Sequence, residues 1–314
     1  MKSLSPGLWL EMVKGSVITL ALFLAYVSFP LLGMFPGLFV PLPGMYFAYK
    51  RGNMVGAAIV AVCVVAMLPV AGMAAAIIYL LQCGILTIAI PLFLSRGWGG
   101  ARSIAVSVAL NLLVIVLFAA AFAASQGVDL HGQVLKGISS SITQTATLYE
   151  KSGLTGEELQ AFKTAMEQAG ALIGRIYPAL LVVSLSTIAG LNLWLLVQLA
   201  IRLPTRPALG DFIRFKLPEQ LIWVVIAAGF SMLLPLWGAS EVALNVLIVI
   251  LSLYFLQGLA VISWFFKRFA VPGLMRAVFY VLLALQPYLA VVVAALGIFD
   301  LWGDFRAPRQ PKNL

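Results

Sequence analysis

The chain has 314 residues, of which 62% are hydrophobic and 10% charged, with mean hydropathy +1.06. A water-soluble domain carries about 25% charged residues, so this chain cannot cover a globule of its size with polar surface; a soluble enzyme and a secreted disulfide scaffold are excluded. The formal net charge of +9 sits in short Lys/Arg clusters between apolar runs, without a basic stripe interleaved with aromatics, which fits the positive-inside bias of a membrane protein and no nucleic-acid role.

The first apolar run, residues 15–33, follows Lys2 and Lys14 and has no small-x-small cleavage site after it, so it reads as an uncleaved span. Residues 36–49 follow, ended by Lys50 and Arg51. As a helix they would reach only about 21 Å, short of a hydrocarbon core about 30 Å thick. Pro36, Pro41 and Pro43 also remove backbone donors. This segment is expected to be a short broken span or a re-entrant hairpin. Clearer spans are expected at 53–70, 72–95 and 103–124, then a polar stretch at 125–175, then spans at 176–201, 219–237, 242–266 and 276–299.

The polar stretch carries its own helix signals. Thr155-Gly-Glu-Glu158 has capping-box spacing. Leu159, Phe162, Met166, Ala169, Ile173 and Ile176 then form one apolar stripe, and Val134, Ile138, Ile142 and Tyr149 a weaker one before the Ser152-Gly153 break. An external helical hairpin is expected, its second arm running into the span near Tyr177. It would serve as an amphipathic cap on the membrane or bundle, or as a lid over a substrate entrance.

The expected fold is therefore all-α: a polytopic transmembrane helical bundle of eight or nine spans. It forms a single membrane domain over 1–314, with an external amphipathic hairpin inserted at 125–175 and a short polar tail at 300–314. Nine spans with a cytoplasmic N-terminus put thirteen Lys and Arg inside and seven outside. Arg214, Lys216 and Lys267 then fall inside and Arg306 outside. If 36–49 does not cross, the ratio falls to eleven against nine.

Charged chemistry is absent from the apolar runs. The eleven acids all lie in loops or at span ends, and no Lys, Arg or His is mid-span, which disfavours a proton- or sodium-coupled pump. The only histidine, His131, is in the polar stretch, so no intramembrane Ser–His pair or two-His zinc site can form. Cys63 and Cys83 fall mid-span as small apolar residues. There is no G-x-x-x-x-G-K-[ST] loop. No enzymatic activity, cofactor or metal is expected.

Neutral polarity remains. Gln82, Asn111, Asn192, Gln198, Asn245, Gln257 and Gln286 lie within or near the ends of the runs. An amide in hydrocarbon costs a few kcal/mol unless hydrogen-bonded, so each glues helices together or lines a cavity for a small, largely neutral ligand. The ligand-binding candidates are Asn111, Asn192, Asn245 and Gln257, with Pro41 and Pro43 of the broken segment, since interrupted segments mark transporter binding sites. At the C-terminal end, Asp300, Trp302, Asp304 and Arg306 either anchor the last helix or dock a partner.

Four short motifs carry a resemblance: Pro41-Leu-Pro43 with Arg51-Gly52, Phe215-Lys-Leu-Pro218, Leu256-Gln-Gly-Leu-Ala260, and Gly297-Ile-Phe-Asp300-Leu-Trp302 through Asp304-Phe-Arg306. In these the chain resembles the YybS-like family of predicted bacterial membrane proteins, which carry a domain of unknown function. That family is grouped with the substrate-binding S components of energy-coupling-factor (ECF) transporters. The resemblance implies a related helical core in the bacterial inner membrane. It also implies a small solute as ligand, and as partners a transmembrane coupling subunit with two ATPases. The expected function is an S-component-like solute-binding subunit. The alternative is a non-transporting membrane scaffold or regulatory partner protein, docking through the basic loop 202–218 and the C-terminal cluster.

Overall fold

Apolar helix formers dominate the chain, and glycine and proline decide where its helices break. The computed structural model describes residues 6–29, 32–151, 156–203, 209–233 and 238–306, mostly helical with no strand among them. The helices in order are α1 (Pro6–Ser28), α2 (Met34–Gly37), α3 (Pro41–Arg51), α4 (Asn53–Tyr79), α5 (Ile85–Ser95), α6 (Gly100–Gln126), α7 (Leu130–Lys151), α8 (Gly156–Leu199), α9 (Leu221–Leu233), α10 (Ala239–Arg268), α11 (Gly273–Leu285) and α12 (Pro287–Gly303). A π turn at Leu80–Gly84 joins α4 to α5. The Ser152-Gly153 break, Thr155 of the capping box and the tail after Arg306 lie outside the described residues.

Among the described residues, five helical stretches are long and apolar enough to cross a membrane, or up to six if the bent pair α11–α12 is one span. The eight or nine spans expected are not reached by this count, which takes length and apolarity alone and counts the stretch Asn53–Ser95 once. Helix α3 has 11 residues, about 16 Å, and α9 has 13 described residues; 234–237, the end of the expected run 219–237, lie outside the described residues. The expected runs 53–70 and 72–95 are the two arms of the 43-residue stretch Asn53–Ser95. It doubles back at Gly72, whose φ of 84° and ψ of 172° are non-helical. The two ends of the stretch meet, with Asn53 Nδ2 3.5 Å from Ser95 Oγ.

The chain forms two compact units, Met1–Leu130 with Ser184–Gly210, and His131–Val183 with Asp211–Leu314. In the first, α1 runs out and the interrupted α2–α3 segment runs back beside it. Glu11 near the start of α1 pairs with Lys50 (2.7 Å) and Arg51 (2.6 Å) at the end of α3. Residues 36–49 thus run back beside α1 as two short helices, interrupted as expected. Phe23, Ile59, Cys63, Met67 and Tyr79 fill one core of this unit, and Leu86, Ile90, Leu185, Ile188 and Leu196 another. Both cysteines are free and buried, as small apolar residues would be.

In the second unit, α7 and the first half of α8 form the antiparallel hairpin read from the stripes. The Tyr149 and Phe162 ring centroids are 4.4 Å apart, Ile142 lies beside Gly170, and His131 Nδ1 is 3.1 Å from the Tyr177 hydroxyl. Helix α8 continues without interruption for 44 residues, about 66 Å, so the second arm does run on into the apolar run beyond Tyr177. Helices α10 and α12 pack closely. Gly258 lies against the Val293 carbonyl and Gly297 against that of Tyr254, each so near that a Cβ would come within 1.9–2.0 Å of the oxygen. Small residues let membrane helices approach backbone to backbone in this way.

The expected single span 276–299 is corrected by the structure. Helices α11 and α12 are bent by 110° about Gln286. Proline disfavours helical backbone in the residue before it, and Gln286, preceding Pro287, is extended at φ −117°, ψ 96°. The bend returns the chain, so Arg306 shares a pocket with Arg214, Lys216 and Lys267. Arg306 is therefore on the same side as those residues and not opposite them.

Candidate functional site

Three of the four candidate amides satisfy backbone groups of this chain. Pro178 disturbs the helical ladder of α8, and Asn245 of α10 is inserted at that turn. Its Oδ1 accepts from the Ala179 N–H and its Nδ2 donates to the Arg175 carbonyl, both at 2.8 Å. Asn192 of α8 donates at 2.7 Å to the carbonyl of Leu38, in the turn between α2 and α3. The regular acceptor role of that carbonyl is disrupted because Pro41 has no N–H and Leu42 donates to Phe39. Pro41 and Pro43 are buried in the first turn of α3, where proline suits helical geometry. Gln257 of α10 accepts from the Leu217 N–H (2.9 Å) and donates to the Gly297 carbonyl and Asp300 Oδ2, both at 3.0 Å.

Asn111 differs from these three. It is fully buried on α6, and neither its nitrogen nor its oxygen has a hydrogen-bond partner among the described residues. Ser107 and Ser103, one and two turns earlier, are also fully buried, and their hydroxyls have no partner among the described residues. Spacings of four residues put all three on one helix face. Neighbouring Val108 packs in the apolar core with Leu86, Ile90 and Leu185. In the same unit, Asn192 Oδ1 is buried without a partner as well. Native proteins leave few buried polar groups unpaired, and each needs an explanation. The stripe offers neutral donors and acceptors and carries no charge. Sequence reading picked out Asn111 but missed Ser103 and Ser107; the four-residue spacing was the available signal, and serine is too common in membrane helices to stand out.

The C-terminal cluster divides by burial. Asp300 is fully buried and Arg306 points inward, its side chain 10% exposed. Arg306 Nη2 donates to Asp300 Oδ2, while Nη1 donates to the carbonyls of Ile213 (2.8 Å) and Phe215 (2.9 Å). Asp300, Gln257 and Arg306 thus clamp the 213–217 loop onto α10 and α12. Trp302 and Asp304 face outward, with Trp302 68% exposed. Three of the four motifs quoted above meet here: Phe215-Lys-Leu-Pro218, Leu256-Gln-Gly-Leu-Ala260, and the segment from Gly297 to Arg306. Above this clamp lies an open pocket of about 550 Å³.

A family model described as predicted membrane protein (DUF2232) matches residues 17–301. The chain belongs to that family. The match runs from within α1 to within α12, so the polar stripe of α6 and the Gln257–Asp300 pair both belong to the family's domain. Arg306, which completes the clamp, lies just past its end. No curated protein and no solved structure matches the chain.

Proposed function

We propose that this protein is a membrane-embedded subunit that binds a small, uncharged, polar solute. In this it resembles an S component of ECF transporters, with a coupling subunit and its ATPases as partners. The observation that carries the reading is the Ser103–Ser107–Asn111 face of α6, buried in an apolar core with every side-chain polar atom unpaired. An unpaired buried amide or hydroxyl costs about 1–3 kcal/mol, and a solute offering complementary donors and acceptors removes that cost. The broken α2–α3 segment in the same unit, latched by Asn192, is the kind of interrupted backbone that lines transporter sites. The YybS-like motifs, and a chain without a phosphate loop, fit a division of labour in which other proteins supply the energy.

The test uses the full chain in mild detergent with a panel of nucleosides, monosaccharides and neutral pyridine and pyrimidine amides. At least one solute is expected to raise the melting temperature of the wild type, and Asn111→Leu and Ser107→Ala are expected to abolish the shift. Without solute, Asn111→Leu should be as stable as the wild type or more so, because it removes an unpaired amide. Equal shifts in wild type and variants discard the site. A panel with no effect, together with recovery of envelope or signalling proteins and no ATPase from native membranes, favours the scaffold function.

A further inference from the structure

The second unit holds a pocket that the solute reading does not use. It is lined by Arg214, Lys216, Lys267, Arg306, Asp211 and Asp304, with Ile213 and Trp264 completing the wall. Four cations therefore face two carboxylates. The cations come from three separate pieces of chain: the 211–217 loop, the last turn of α10, and the residues after α12. The buried Gln257–Asp300–Arg306 clamp holds these pieces together, so the positive groups are positioned in advance of any ligand.

The charges within the pocket are poorly neutralised. Arg214 reaches Asp211, and Lys216 reaches both Glu219 and Asp304, only at 4.0 Å. Lys267 has no ion-pair partner among the described residues. Arg306 is different, because its guanidinium is already engaged below. Arg214, Lys216 and Lys267 are thus the cations left to meet a ligand. A volume of about 550 Å³ is within the usual range of small-molecule sites. Just past Lys267, Phe269, Leu274 and Met275 are strongly exposed and apolar, so a charged rim adjoins a surface suited to acyl chains.

We propose that this pocket binds a phosphate-bearing anion of headgroup size. Basic pockets at the ends of membrane helices hold anionic lipid headgroups by this arrangement, and a soluble phosphate ester presents the same chemistry. The site is independent of the α6 stripe, since it belongs to the other unit.

The full chain in mild detergent is titrated with phosphatidylglycerol, and retained lipid is counted by native mass spectrometry. Glycerol 3-phosphate and inorganic phosphate are titrated separately by thermal shift. Each lysine is expected to contribute about fivefold, so Lys216→Gln with Lys267→Gln should weaken binding about 25-fold. Lys14→Gln with Lys136→Gln, an equal loss of charge outside the pocket, should leave binding unchanged. Asp304→Asn removes a competing carboxylate and should tighten binding. Response to phosphatidylglycerol alone identifies a lipid headgroup, and response to the soluble phosphates identifies a free ester; either supports the site. Equal losses in the pocket pair and the control pair overturn it, as does weaker binding by Asp304→Asn. Should the double variant misfold, Lys267→Gln alone carries the same test at about fivefold.

Discussion

Asn111 and Asn245 are the same residue type in opposite circumstances. Asn245 bonds both exposed edges of the helical turn at Pro178, whereas Asn111 bonds nothing among the described residues. Asn245→Leu leaves the Ala179 N–H and the Arg175 carbonyl without their partner. At about 1–3 kcal/mol for each orphaned group, it should lower stability by about 2–6 kcal/mol in an unfolding titration. Pro178→Ala restores an N–H to the helix, so the loss should be smaller in that background. Equal losses in both backgrounds would show that Asn245 does not act through the proline turn. That these amides are buried and polar was legible in the sequence, because hydrocarbon makes such residues conspicuous. Their partners were not: Asn192 meets a carbonyl 154 positions away and Asn245 one 70 positions away. Backbone groups carry no residue-type signal.

Helices α10 and α12 depend on two glycines. A Cβ on Gly297 would lie 2.0 Å from the Tyr254 carbonyl oxygen, and a backbone oxygen can withdraw only if the helices part. Gly297→Ala should therefore cost about 3 kcal/mol and loosen the Gln257–Asp300 bond one turn away. Gly190→Ala, inside α8 with nothing within 4 Å of the added carbon, should be neutral or stabilising. Thermal unfolding of both variants in one detergent makes the comparison. At this scale the apolar stripes of the hairpin were readable, since Leu159 and Phe162 repeat at helical spacing and face the other arm. The helix-breaking power of Pro287 passed unnoticed because the run 276–299 is apolar on both sides of it.

For the whole molecule, the bend at Gln286 changes which charges share a side. Arg214 and Asp304 have exposed side chains and lie at one pocket, and the two native cysteines are buried. Cysteines introduced singly as Arg214→Cys and Asp304→Cys should both react with a membrane-impermeant maleimide from the same side of sealed vesicles. Labelling from opposite sides would restore a full crossing between α10 and the C-terminus. The count of thirteen inner against seven outer cations placed Arg306 on the wrong side because it assumed that every apolar run crosses. Hydropathy does not distinguish a run that crosses from one that turns back.

Composition, the apolar runs and the helical stripes were enough to determine an all-helical membrane protein with a hairpin in its polar stretch, because hydrophobicity and periodicity are local properties. The isolation of Asn111 among uncharged neighbours was in part visible too. Only the tertiary structure decided that α11 and α12 bend, and that Asp300 is locked under Arg306 and so cannot serve as a docking surface. These outcomes rest on contacts between residues tens of positions apart. Whether a buried polar atom finds a partner depends on which chain segments the glycines and prolines bring beside it.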